Sequence, residues 1–92
     1  MNKNIDVENI SAEIDQLAHW KSVNDALERE FTFIDFKKAL AFILEVGIRS
    51  EIADHHPEIY NVYNVVKLRL STHTTHSITI KDIELAKQID LI

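Results

Sequence analysis

The sequence predicts an α+β fold, one antiparallel sheet with helices on one face, and three observations point to it. Apolar residues recur at helical spacing in three stretches, near the start, in the middle and at the end of the chain. Between them lie two pairs of short segments with strand character. One glycine and one proline in 92 residues leave no room for a linker, a fibrous repeat or a disordered tract. The order is therefore helix, two strands, helix, two strands, helix (α-β-β-α-β-β-α), in a single domain spanning residues 1–92.

The first helix is "NISAEIDQLAHW", with Ser11 as its cap, Glu13 near its positive end and an apolar stripe of Ile14, Leu17 and Ala18. Trp20 to Val23 reads as a brief strand and Asn24-Asp25 as a turn. The next strand, "ALEREFTF", places Leu27, Phe31 and Phe33 on one side. Asp35 occupies a helix N-cap position before "FKKALAFILEVGIRSEIA". Nine of the fourteen residues from Phe36 to Arg49 are apolar, more than one buried face requires. The surplus, from Leu40, Ala41, Phe42 and Leu44, calls for a partner subunit packing helix on helix; the alternative cover is the N-terminal helix. "IYNVY" and "NVVKLRLST" form the second strand pair, with Val66, Leu68 and Leu70 alternating with Lys67, Arg69 and Ser71. Thr79 and Asp82 fit a capping box opening the last helix, where Ile80, Ile83, Ala86, Ile89 and Ile92 recur at helical spacing.

Composition excludes several function classes. Cysteine is absent, so disulfides, thiolate metal sites and cysteine nucleophiles are ruled out. A net charge of -5 with scattered Lys and Arg argues against direct nucleic-acid binding. The acidic start "MNKNIDVENISAEIDQL" does not resemble a signal peptide, and no apolar run approaches the ~20 residues that cross a bilayer. The expectation is a soluble, cytoplasmic protein without membrane contact.

Four of the five histidines fall within "DHHPEIYNVYNVVKLRLSTHTTH", in loops flanking the second strand pair. His19 and His76 read as structural. If the last two strands pair antiparallel, the start of one lies beside the end of the other, and His55 and His56 meet His73 at one sheet end. Three chemistries compete for such a cluster. A zinc site lacks an HExxH-type spacing, and adjacent histidines point apart. Nucleophilic catalysis by Ser71 or Thr72 lacks a G-x-S-x-G elbow. General acid–base catalysis needs only imidazoles that titrate near neutrality.

The spacing of these residues resembles a known family. Glu51, three residues, His55-His56-Pro57, five residues, Tyr63, nine residues, His73 and then Asp82 reproduce the pattern of the pterin-4a-carbinolamine dehydratases. In animals that family is also known as the dimerisation cofactor of a homeodomain transcription factor. "DHHPE", "NVYN", "LSTH", Trp20 and "FTFIDF" extend the resemblance across roughly residues 10 to 90. Ile59 stands where members often carry Trp, and Ser77 lies near a common glycine.

The resemblance implies a four-stranded antiparallel sheet with two main helices on one face and a short N-terminal helix. It also implies dimers through sheet edges and tetramers through helices. The implied reaction dehydrates 4a-hydroxytetrahydropterin to quinonoid dihydropterin, recycling the pterin released by aromatic amino-acid hydroxylases, without metal or other cofactor. His55 and His73 would be the acid–base pair, with His56 assisting. Asp54, Ser71, Thr72 and Thr74 would bind the pterin. Asp82 would either orient a histidine or only cap its helix, and Glu51 would support the site or simply end its helix. The rival expectations are a non-catalytic, oligomeric binding module and a bare metal-binding protein.

Overall fold

The structure, a computed structural model, describes residues 7–92, with side chains from residue 10 onward. The N-terminal stretch read as lacking a leader lies, for residues 1–6, outside them. Seven elements follow in the expected order: α1 (Val7–Asp15), β1 (Lys21–Val23), β2 (Ala26–Thr32), α2 (Phe36–Ala53), β3 (Glu58–Val62), β4 (Val65–Leu70) and α3 (Ile80–Ile89). The sheet is antiparallel throughout, with strand order β1-β2-β4-β3. No helix among the described residues is long and apolar enough to cross a membrane.

Local chemistry explains most element ends. Asn24 and Asp25 both take left-handed backbone angles (φ 49° and 63°), which gives the two-residue β1–β2 turn a twist that matches its strands. Asp35 is extended and accepts the Lys38 N–H at 2.8 Å, capping α2. The expected cap at Ser11 is a correction: Ser11 lies inside α1, which begins at Val7, so the apolar stripe enters helix earlier than the serine suggested. Ala18 is exposed and His19 stands beyond the helix end, so neither belongs to the first helix.

The core forms between one sheet face and the helices. Leu27, Val66, Leu68 and Leu70 from the strands meet Ala39, Val46, Ile83, Leu85, Ala86 and Ile89 from α2 and α3, all fully or almost fully buried. Phe42, expected among the surplus surface of α2, is instead buried and packs 4.5 Å from Phe31 and 5.0 Å from Phe33 between ring centroids. The rest of that surplus, Leu40, Ala41 and Leu44, is exposed, and Phe36, Ile48 and Ile52 join Leu40 and Leu44 at every fourth residue along the outer face of α2. Among the described residues, α1 packs on α3 and this face of α2 stays exposed.

The opposite sheet face is charged. Glu28 on β2 sits across from Arg69 on β4, and Arg69 sits across from Glu58 on β3. Arg69 Nη1 lies 2.8 Å from one Glu28 oxygen and Lys67 Nζ 3.3 Å from the other. Burial would push the Glu28 carboxyl up, but hydrogen bonds from Arg69 and Lys67, with their charges, outweigh it and hold the group below its ordinary 4.5. A carboxylate depressed in this way stabilises the fold above its unfolded pKa, and that contribution drains away as pH falls through the folded value. The urea midpoint of wild type should therefore exceed that of Glu28→Gln near neutrality, and the gap should close as pH falls below 4.5. A gap that stays constant through acid would contradict this account.

Candidate functional site

The C-terminal end of α2 presents the histidine pair. Asp54 adopts a left-handed conformation (φ 51°), its N–H bonding to Glu51 O, while the His55 N–H reaches back 3.1 Å to Ser50 O. This is a Schellman ending, in which Asp replaces the usual glycine and tolerates the left-handed region better than most residues. It clamps the His55 backbone to the helix, and Pro57 then directs the chain into β3.

The sheet register brings the other half of the site alongside. Glu58, at the start of β3, pairs with Arg69 near the end of β4, so the loop before β3 adjoins the turn after β4. In that turn Thr72 and Ser77 form an isolated bridge enclosing residues 73–76. The left-handed position in this loop is His76 (φ 51°), one residue before Ser77, so Ser77 needs no glycine freedom. Ile59 pairs with Leu68 on the helix-facing side of edge strand β3 and stays exposed.

Beneath these loops lies Asp82, wholly buried at the start of α3. His55 Nε2 is 2.5 Å from its Oδ1. Thr72 Oγ1 donates to Oδ2 at 2.8 Å and the Thr79 N–H donates to the same oxygen at 2.9 Å. The capping box is formed too, so one carboxylate both caps α3 and holds a histidine. An ionised carboxylate only accepts, which makes Nε2 the protonated nitrogen of a neutral His55 ring and leaves Nδ1 a lone pair that can take up a proton and later return it. His56 makes a separate, exposed pair, its Nε2 being 2.6 Å from Glu51 Oε2.

The candidate residues are thus joined unequally. His55, Asp82, Thr72 and Thr79 form one hydrogen-bonded cluster, and His56 and Glu51 form another. His73 and Thr74 are exposed in the turn beside the first cluster, Ser71 is half-buried at the end of β4, and Asp54 is exposed at the end of α2. Thr72, expected to touch substrate, is buried with its hydroxyl turned inward. A groove of about 620 Å³ between the end of α2 and the outer side of α3 has His55, Ala53, Lys81 and Leu85 in its wall. A separate apolar pocket of about 380 Å³ lies around Phe31, Phe33, Phe42 and Ile89, away from the histidines. Thr79 was legible only as a cap; its second contact, to Thr72 Oγ1 at 2.7 Å, has no sequence signal.

Fold and site together define a small α+β domain with an imidazole paired to a buried carboxylate at one end of its sheet. Residues 3–92 match the family described as Pterin 4 alpha carbinolamine dehydratase. A Burkholderia orbicola (strain MC0-3) protein is 44% identical over 79 residues, covering 84% of this chain and 78% of that protein. A Paraburkholderia xenovorans (strain LB400) protein is 42% identical over 84 residues, covering 89% and 88%. Both bear the name "Putative pterin-4-alpha-carbinolamine dehydratase". A crystal structure of a transcriptional coactivator/pterin dehydratase from Brucella melitensis superposes with a TM-score of 0.87 at 31% identity, covering 97% of each chain. A pterin dehydratase-like RuBisCO assembly factor of the alpha-carboxysome shares the fold, with a TM-score of 0.64 at 20% identity over 79% of this chain and 84% of its own. The chain belongs to the pterin 4 alpha carbinolamine dehydratase family.

Removing the buried carboxylate should be costly. Asp82→Ala leaves the His55 ring, the Thr72 hydroxyl and the Thr79 N–H without their shared acceptor, and should lower stability by about 3–5 kcal/mol in urea unfolding. A loss below about 1 kcal/mol would mean that these donors find other partners.

Proposed function

We propose that this protein dehydrates 4a-hydroxytetrahydropterin to quinonoid dihydropterin and water, by general acid–base catalysis with histidine, in tetrahydropterin recycling. The observation that carries the reading is the His55–Asp82 pair, set within a family-matching chain in which His55, His56 and His73 border one sheet end. The reaction needs a proton for the hydroxyl leaving C4a and a base for a ring N–H. An imidazole held by a carboxylate at one nitrogen can serve either need with the other. His55 and His73 act as the pair, His56 assists from its place against Glu51, and Asp54, Ser71 and Thr74 offer polar groups to the pterin ring. The protein works in the cytoplasm.

Dehydration followed by ultraviolet absorbance tests this. Wild type should accelerate the reaction, and a folded His55→Ala, His73→Ala variant should lose about 10²–10⁴-fold. No acceleration from correctly assembled wild type would instead favour a binding module. That second reading draws on the exposed apolar face of α2 and on the coactivator named in the Brucella structure's description.

Either reading uses a homo-oligomer, dimer or tetramer, in which a second copy covers Leu40, Leu44 and Ile48. Light scattering should give wild type a multiple of the chain mass and Leu44→Glu a smaller assembly. A wild-type monomer would end this part of the proposal.

A further inference from the structure

With Asp82 ionised, the hydroxyl protons in the polar cluster under His55 have one consistent arrangement. Asp82 Oδ1 faces His55 Nε2, and Oδ2 accepts from Thr72 Oγ1 and from the Thr79 N–H. The Thr72 hydroxyl proton is therefore committed to Asp82. Its 2.7 Å contact with Thr79 Oγ1 then has a single direction, Thr79 donating and Thr72 accepting. Thr79 Oγ1 in turn accepts the Lys81 N–H at 3.3 Å. Donors thus run one way, from the first turn of α3 through Thr79 and Thr72 into one oxygen of Asp82, while His55 donates to the other.

Thr72 is also fixed as a residue. Its N–H bonds to Ser77 O at 2.9 Å, its carbonyl accepts the Ser77 N–H at 3.4 Å, and the residue is 8% exposed. The terminal torsion of an aspartate is broad, so the helix alone does not hold the carboxylate plane. Two donors on Oδ2, one from Thr79 on α3 and one from Thr72 beyond β4, do hold it, and so determine where Oδ1 meets the imidazole.

We infer that Thr72 is a positioning residue for His55: its hydroxyl locks the Asp82 carboxylate, and through it the Nε2–H tautomer and ring orientation of His55, rather than touching substrate. The inference rests on the dehydratase reading above for its kinetic consequence, but not for its structural one.

The test uses the full chain with Thr72→Val, which keeps the shape and removes the hydroxyl, and Thr72→Ser, which restores it. In the dehydration assay Thr72→Val should lower kcat by roughly tenfold or more with KM little changed, and Thr72→Ser should recover most of the loss. A raised KM with kcat retained would make Thr72 a substrate contact and overturn the inference; unchanged kinetics would overturn it too. Nitrogen NMR of the neutral His55 ring supplies a readout that needs no turnover. Wild type should show the Nε2–H tautomer and Thr72→Val a mixture of the two. An Nδ1–H tautomer in wild type sinks the inference even if Thr72→Val does not fold, and so does an unchanged tautomer in a folded Thr72→Val. An inactive wild type whose tautomer still depends on Thr72 would sink only the dehydratase reading.

Discussion

A single buried carboxylate organises this molecule. Asp82 has no exposed surface, and an isolated charge so placed would cost several kcal/mol in lost hydration. That cost is offset only by donors gathered from separate parts of the chain. The Thr79 N–H comes from the start of the same helix, the Thr72 hydroxyl from beyond β4, and the His55 ring from beyond α2. Each donor requires its own segment to be in place, so meeting the needs of Asp82 assembles the sheet end around it. The same requirement gives His55 a defined tautomer, which is where structural need and chemistry coincide.

The segments reach Asp82 through ordinary backbone devices. A left-handed Asp54 ends α2 and turns His55 inward, while the Thr72–Ser77 bridge closes the loop after β4. Antiparallel pairing of β3 with β4 then brings both loops to one edge. At the other end of α3, Asp90 receives Trp20 Nε1 at 2.9 Å and Arg29 at 2.6 Å, tying the loop after α1 and strand β2 to that end of the helix. Helix α3 is thus anchored by a carboxylate at each end, one buried beneath the histidines and one part-exposed beside the aromatic cluster.

The helix layer has a different character. α2 buries Ala39, Phe42, Val46 and Ser50 toward the sheet and leaves Phe36, Leu40, Leu44, Ile48 and Ile52 on the outer side. Two apolar faces on one helix suit a layer with something on both sides, and within the described residues α1 does not supply the second cover.

The chain by itself determined the elements and much of their order. The Asn24-Asp25 turn, the Asp35 cap, the alternation of Val66, Leu68 and Leu70, and the Thr79–Asp82 box are local signals, each carried by neighbours in sequence. They were legible because backbone angles, pleat and helix caps are decided within a few residues. Ser11 misled for the same reason, since a plausible cap inside a continuing apolar stripe does not end or begin a helix. The family pattern was also carried by fixed spacings from Glu51 to Asp82. What only the tertiary structure decided is which atoms meet. Asp82 serves as cap and as histidine partner at once, the Thr72 hydroxyl turns inward while His73 stays exposed, and Phe42 joins the core while Leu44 does not. Such outcomes depend on groups far apart in sequence competing for one buried acceptor or one core position, and a local pattern holds no information about that competition.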